Sequence, residues 1–75
     1  MKFKLYSSEG CHLCEQALAL CIPHIDTSEL NIVDIVEDEA LVSQFGIHIP
    51  VLERCSDNKM LYWPFNDSQI SELNS

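Results

Sequence analysis

Ser8-Glu9-Gly10-Cys11-His12-Leu13-Cys14 is the stretch on which the reading of this 75-residue chain turns. Before it, residues 2–6 alternate polar and apolar side chains with the period of a strand. After it, Cys14, Ala17, Leu18 and Cys21 recur at i, i+3, i+4 and i+7, which is one face of a helix. Cys11 and Cys14 therefore sit where a strand turns into a helix. At such a corner the unpaired N–H groups and partial positive charge of the helix N-terminus favour a thiolate. A disulfide closed over so short a loop can form and break without moving the rest of the fold.

Working outward, Pro23 ends the first helix near Ile22. Residues 24–29 form a polar connector, and residues 30–36, β-branched and apolar, read as a second strand. A helical crossover of that length predicts that the two strands lie parallel. Glu37-Asp38-Glu39 place carboxylates in the first turn of a second helix, with Leu41, Val42 and Phe45 as its buried face and Gly46 as its C′ residue. Residues 47–53 are expected to form a third strand containing Pro50. Ser56-Asp57-Asn58 then turns the chain into a fourth over residues 59–63, making a hairpin. Asn66 and Gln69 have the spacing of a capping box, Phe65 and Ile70 that of a hydrophobic staple, and Ile70 and Leu73 face the core of a last helix. The expected architecture is a single α/β domain over residues 1–75, a four-stranded mixed sheet with three helices in the order β-α-β-α-β-β-α.

Composition narrows the partners. Twelve acidic against 4 basic residues give a formal net charge of −8, which repels phosphate backbones and anionic lipid. Nucleic acid and membrane surfaces are thereby disfavoured. The chain has no apolar run approaching the ~18 residues of a membrane span, and its N-terminus is too short and interrupted for a signal peptide. A cytoplasmic monomer is the expectation. In a reducing compartment 4 cysteines point to catalysis or metal rather than to a structural disulfide framework.

The C-x-x-C within a strand-helix-strand pattern reads as a thioredoxin-like redox motif. Cys11, at the helix edge, is expected to be the exposed nucleophile. Cys14, one turn in on the buried stripe, is expected to be the resolving thiol. Zinc is the rival, since Cys11, Cys14, Cys21 and His24 form a C-x2-C-x6-C-x2-H series. Yet residues 15–20 are strong helix formers, and at about 1.5 Å rise per residue Cys21 lies roughly 10–15 Å along the axis from the pair. Zn–S bonds are about 2.3 Å, so no metal is expected. His12, as an imidazolium beside Cys11, would stabilise its thiolate, with Glu9 and Glu15 acting in opposition. Cys21 reads as a small core hydrophobe, Cys55 as an exposed thiol near a turn with an incidental role, and His24 as having no role. His48, two residues before Pro50, is a candidate to approach the redox corner. Tyr62-Trp63-Pro64-Phe65 reads as strand end and staple, packed into the scaffold.

These residues together resemble a small glutaredoxin-like protein with a minimal thioredoxin fold. The resemblance covers nearly the whole chain: the opening strand, Gly10-Cys11-His12-Leu13-Cys14-Glu15, Val33-Asp34-Ile35, residues 41–46 and Ile49-Pro50-Val51-Leu52. Tyr62-Trp63-Pro64-Phe65-Asn66 is similar to the end of a short bacterial subgroup that carries Cys-His-Leu-Cys. The resemblance implies that Cys11 is the nucleophile and Cys14 resolves. It also implies that the Ile49-Pro50 bond is cis, with Ile49 offering backbone hydrogen bonds to a bound thiol peptide by strand addition. Glutathione-dependent members usually carry Cys-Pro-Tyr-Cys, a basic residue just upstream, Thr-Val-Pro, and a Gly-Gly turn followed by Asp after the fourth strand. Here Cys-His-Leu-Cys, Glu9, His48-Ile49-Pro50 and a glycine-free Trp63-Pro64-Phe65-Asn66-Asp67 stand at those places. These departures and the acidic surface argue against glutathione as the natural co-substrate. No bound cofactor is implied. The expected activity is a dithiol thiol–disulfide exchange on a disulfide-containing protein or small thiol, recharged by an electron donor that the sequence does not identify. The alternatives are a non-enzymatic protein-binding module of the same fold and a structural zinc protein.

Overall fold

The computed structural model describes residues 2–74. Its strands are β1 (Phe3–Ser7), β2 (Leu30–Asp34), β3 (Val51–Arg54) and β4 (Lys59–Tyr62), and its helices are α1 (His12–Cys21), α2 (Glu39–Phe45) and α3 (Asp67–Leu73). The sheet runs in the order β2-β1-β3-β4. β1 pairs parallel with β2, Leu5 opposite Ile32 and Ser7 opposite Asp34. On its other side it pairs antiparallel with β3, Tyr6 opposite Val51, and β3 continues antiparallel into β4.

Alternation along β1 divides the interior. Phe3 and Leu5 project to one face, where Ala17 and Cys21 of α1 and Ile70 and Leu73 of α3 close over them with Leu52 and Phe65. Tyr6 projects to the other face and packs with Ile35, Phe45 and Val51. Full burial of a leucine- or isoleucine-sized side chain contributes about 1.5–3 kcal/mol, so Leu5, Leu52 and Ile70 carry much of so small a core. α3 starts as its local signals require: Asn66 Oδ1 accepts from the Gln69 N–H and Gln69 Oε1 accepts from the Asn66 N–H, each at 2.9 Å. Phe65 and Ile70, the two ends of the staple, share the same buried cluster.

Several boundaries differ from expectation for local reasons. The second strand ends at Asp34 instead of Val36, because Asp34 Oδ1 accepts from the Val36 N–H at 3.0 Å and turns Ile35–Glu37 into a 3₁₀ segment. Asp38, expected inside the first turn of α2, instead caps it through the Ala40 N–H. Val42 is 43% exposed and not part of the buried face, which Phe45 dominates. Gly46 keeps helical dihedrals (φ −51°, ψ −36°) at the C-cap, so it is not the left-handed C′ residue. The third strand begins only at Val51, with Pro50 just outside it. The N–H groups of His48 and Ile49 both donate to the Phe45 carbonyl, at 2.7 and 3.0 Å, so this segment forms a tight turn in place of a strand. The fourth strand ends at Tyr62, and the Trp63 N–H then donates to the Pro50 carbonyl. Both Ile49–Pro50 and Trp63–Pro64 are cis.

No helix among the described residues is long and apolar enough to cross a membrane.

Candidate active site

β1 delivers the chain through Ser8 and Glu9 to Gly10, whose φ of +79° is a conformation that a side chain would strain. That turn sets Cys11 as the N-cap of α1, in an extended conformation. Cys11 and Cys14 are joined by a disulfide, their Cα atoms 5.2 Å apart. The backbone N–H of Cys14 donates to Cys11 Sγ at 3.1 Å, so the first turn of the helix already presents a donor to that sulfur. Cys11 is half-buried, whereas Cys14 is only 5% exposed. The outer cysteine is therefore the more accessible of the two.

His12 opens α1 with its ring in solvent. Its Nδ1 lies 3.8 Å from Glu15 Oε2, and both side chains are more than three-quarters exposed, at 86% and 78%. A pair so open to water contributes little. Ile49 and Pro50 stand at the end of β3 that meets the exit of β1, since Val51 pairs with Tyr6 just before the loop that carries Cys11. Pro50 is fully buried and Ile49 partly so. His48 is exposed and meets the Tyr62 ring edge-on, centroids 5.5 Å apart, so its ring packs toward β4.

The residues that flank the disulfide most closely include some that the sequence reading did not single out. A cleft of about 240 Å³ borders Cys11 and Cys14 on the β2 side, walled by Leu18 and Ile32 and edged by Glu9 and Glu15. Ile32 was readable as a strand residue, but its place beside the cysteines follows from pairing opposite Leu5. On the opposite face, Glu53 is a buried carboxylate, accepting from the Tyr6 hydroxyl at 2.5 Å and from Asn58 Nδ2 at 2.9 Å. Burial and the Glu53 carboxylate push the Tyr6 phenol up. Tyr6 in turn stacks on Phe45, centroids 4.3 Å apart, and Phe45 holds the turn that leads to Pro50.

The remaining cysteines stand apart. Cys21 is fully buried in the core under α1, and burial pushes its thiol up to about 11. α1 runs unbroken from His12 to Cys21, so Cys21 sits at the far end of the helix from Cys11. Cys55 is half-buried beyond β3, its N–H donating to the Lys2 carbonyl. His24, expected to have no role, ties two helices together. Its Nε2 lies 2.7 Å from Asp67 Oδ1 at the start of α3, and its carbonyl accepts from Asn74 Nδ2 at 2.6 Å. Trp63 and Phe65 meet edge-on at 5.2 Å, with Trp63 packed against the main core and Tyr62 left half exposed.

Comparison with known proteins agrees with this geometry. The crystal structure of target protein XcR50 from X. campestris superposes with a TM-score of 0.80 at 31% identity, over 93% of this chain and 91% of that one. The solution structure of the same target gives 0.79 at 32% identity, over 96% and 90%. The solution structure of Ne2328 from Nitrosomonas europaea gives 0.71 at 32% identity, over 92% and 84%. No curated protein matches the sequence. The family described as Glutaredoxin-like domain (DUF836) matches residues 2–73. With the sheet order, the corner disulfide and a family match spanning almost its entire length, this chain belongs to the glutaredoxin-like domain family.

Proposed function

We propose that this protein is a dithiol thiol–disulfide oxidoreductase. The observation that carries the reading is the Cys11–Cys14 disulfide at the start of α1, its outer sulfur accessible and its inner sulfur buried. In the reduced protein, the Cys14 N–H and the N-terminus of the ten-residue α1 favour Cys11 as the thiolate. The Cys11 thiolate attacks one sulfur of a substrate disulfide, forming a mixed disulfide and expelling the first substrate thiolate. Cys14 then attacks Cys11 Sγ, closing the intramolecular disulfide. Its proton passes to the second substrate sulfur as that leaves. Two electrons move from the protein dithiol to the substrate, and an external thiol or dithiol returns them.

Ile49, at the mouth of the same end of the sheet, supplies its carbonyl to an extended substrate, its N–H being held by the Phe45 carbonyl, and Pro50 backs it. His12 tunes the thiolate weakly, given its exposure and its neighbour Glu15. Glutathione is not the natural co-substrate in this reading, because the glycine turn that would admit its backbone is replaced by Trp63-Pro64-Phe65. The protein acts as a monomer in the cytoplasm.

The test combines the pH dependence of Cys11 alkylation with single-turnover reduction of bis(2-hydroxyethyl) disulfide by pre-reduced wild type and Cys11→Ser, the protein dithiol supplying both electrons. An alkylation midpoint below the free-thiol value of about 8.5, with turnover lost in Cys11→Ser, supports the proposal. A midpoint at or above that value with no Cys11-dependent turnover overturns it in favour of a binding module.

A further inference from the structure

The distribution of charge about the disulfide says which disulfides the site takes. All 4 lysines and arginines of the chain, Lys2, Lys4, Arg54 and Lys59, lie along the sheet away from the redox corner. Arg54 pairs with Phe3 at the start of β1 and with Lys59 across the hairpin. At about 3.3 Å per residue, that level is roughly 13 Å from Ser7, where β1 hands over to the loop bearing Cys11. Lys4 is about 10 Å from it on the same scale. Both separations exceed the Debye length of about 8 Å at physiological ionic strength.

The corner itself is acidic. Glu9 and Glu15 edge the 240 Å³ cleft against Cys11 and Cys14, and no lysine or arginine lines it among the described residues. Asp34 pairs with Ser7 at the same level of the sheet, and the exposed Glu37, Asp38 and Glu39 follow it in the chain. The two histidines near this end, His12 and His48, are both exposed. A net charge of −8 is therefore not spread evenly: its few compensating cations are withdrawn from the place where substrate arrives.

We infer that the substrate of the Cys11–Cys14 site is a peptide disulfide flanked by basic side chains. One part of such a substrate reacts with Cys11, while a neighbouring cationic side chain occupies the Glu9–Glu15 cleft. Leu18 and Ile32 pack against the aliphatic stem of that side chain, as long basic residues favour. This rests on the proposed oxidoreductase activity and adds its specificity. Association is accelerated when opposite charges meet and slowed when like charges meet, by factors of about 10 to 1,000 that collapse with salt.

The test uses pre-reduced protein in a single turnover, so the protein dithiol itself supplies both electrons. Three short peptides, each with one cysteine capped as a mixed disulfide with 2-mercaptoethanol, carry lysines, glutamines or glutamates beside that cysteine. Each rate is divided by the rate of the same peptide with dithiothreitol, which removes differences in intrinsic reactivity. The lysine peptide is expected to exceed the glutamate peptide by about tenfold or more at low salt. The ratio is expected to fall toward one in 1 M salt, where the Debye length is about 3 Å. In Glu9→Gln/Glu15→Gln the low-salt ratio should drop severalfold; as a ratio, it is indifferent to any change in the Cys11 thiolate. A wild-type ratio near one, a ratio that salt leaves unchanged, or a ratio intact in the double variant overturns the inference. Rapid Cys11-dependent reaction of the glutamine peptide alongside any of these leaves the oxidoreductase standing. Absence of that reaction removes the activity itself.

Discussion

Cys21 and Cys55 belong to one chain and meet different chemistry because of where α1 and β3 leave them. Burial that pushes the Cys21 thiol up to about 11 keeps it protonated and out of reach at pH 8. In the folded, oxidised protein iodoacetamide should therefore modify Cys55 and spare Cys21, read by mass spectrometry of the two peptides. Prompt labelling of Cys21 would contradict its place in the core. Since the folded state raises this acid above its ordinary value of 9.0, its contribution to stability is complete below that pH and is lost as pH climbs through about 11. Asp57 shows the opposite sign. Arg54 donates to it from Nε and Nη2, at 2.9 and 2.7 Å, and holds its carboxyl down to about 2. The stabilisation is present above the ordinary carboxylate value of 3.8 and disappears as pH falls through about 2. The Tm difference between wild type and Asp57→Asn should accordingly be full at pH 6 and vanish near pH 2. A difference constant across that range would show that the ion pair is not its source.

At the scale of elements, α3 depends on its cap. Asn66→Ala removes the side-chain oxygen that accepts from the Gln69 N–H, leaving the backbone bond to Gln69 Oε1, and should cost about 1 kcal/mol, a fall of roughly 4–8 °C in Tm for a domain of this size. An unchanged Tm would mean that packing of Ile70 and Leu73 alone holds the helix. The Tyr6–Glu53 bond tests the other face of the sheet. Tyr6→Phe keeps the stack on Phe45 but leaves the buried carboxylate with one donor fewer, at a cost of about 1–3 kcal/mol in urea unfolding. An effect within error would mean that water or Asn58 already satisfies Glu53. These two elements also show what could be read from the sequence. α3 was readable because its cap, staple and apolar face lie within a few consecutive residues. The start of β3 was not, because the Phe45 carbonyl captures the His48 and Ile49 N–H groups, a local turn continuing from the end of α2 that the residues 47–53 do not announce. Glu53 escaped notice for a different, long-range reason: its partner Tyr6 is 47 residues away, and an isolated glutamate near the end of a strand reads as a solvated side chain.

Across the whole molecule, the element order, the parallel first two strands, the closing hairpin and the two cysteines at the strand-to-helix corner were accessible from periodicity and spacing, whereas the sheet order β2-β1-β3-β4 was not. The acid–base imbalance was accessible too, but its arrangement was not. Only strand register places Arg54 and Lys59 at one end and Asp34 level with Ser7 at the other. The cleft beside the disulfide likewise exists only once β2 lies against β1. At the corner itself, the proposed roles are attack by Cys11 and resolution by the buried Cys14. These roles are tested most directly by incubating reduced Cys14→Ser with bis(2-hydroxyethyl) disulfide and mapping the adduct by mass spectrometry. A persistent mercaptoethanol disulfide is expected on Cys11, discharged in wild type by Cys14, and no adduct on Cys14 in Cys11→Ser. An unmodified Cys11 in the first variant, or an adduct forming as fast on Cys14 in the second, would contradict them.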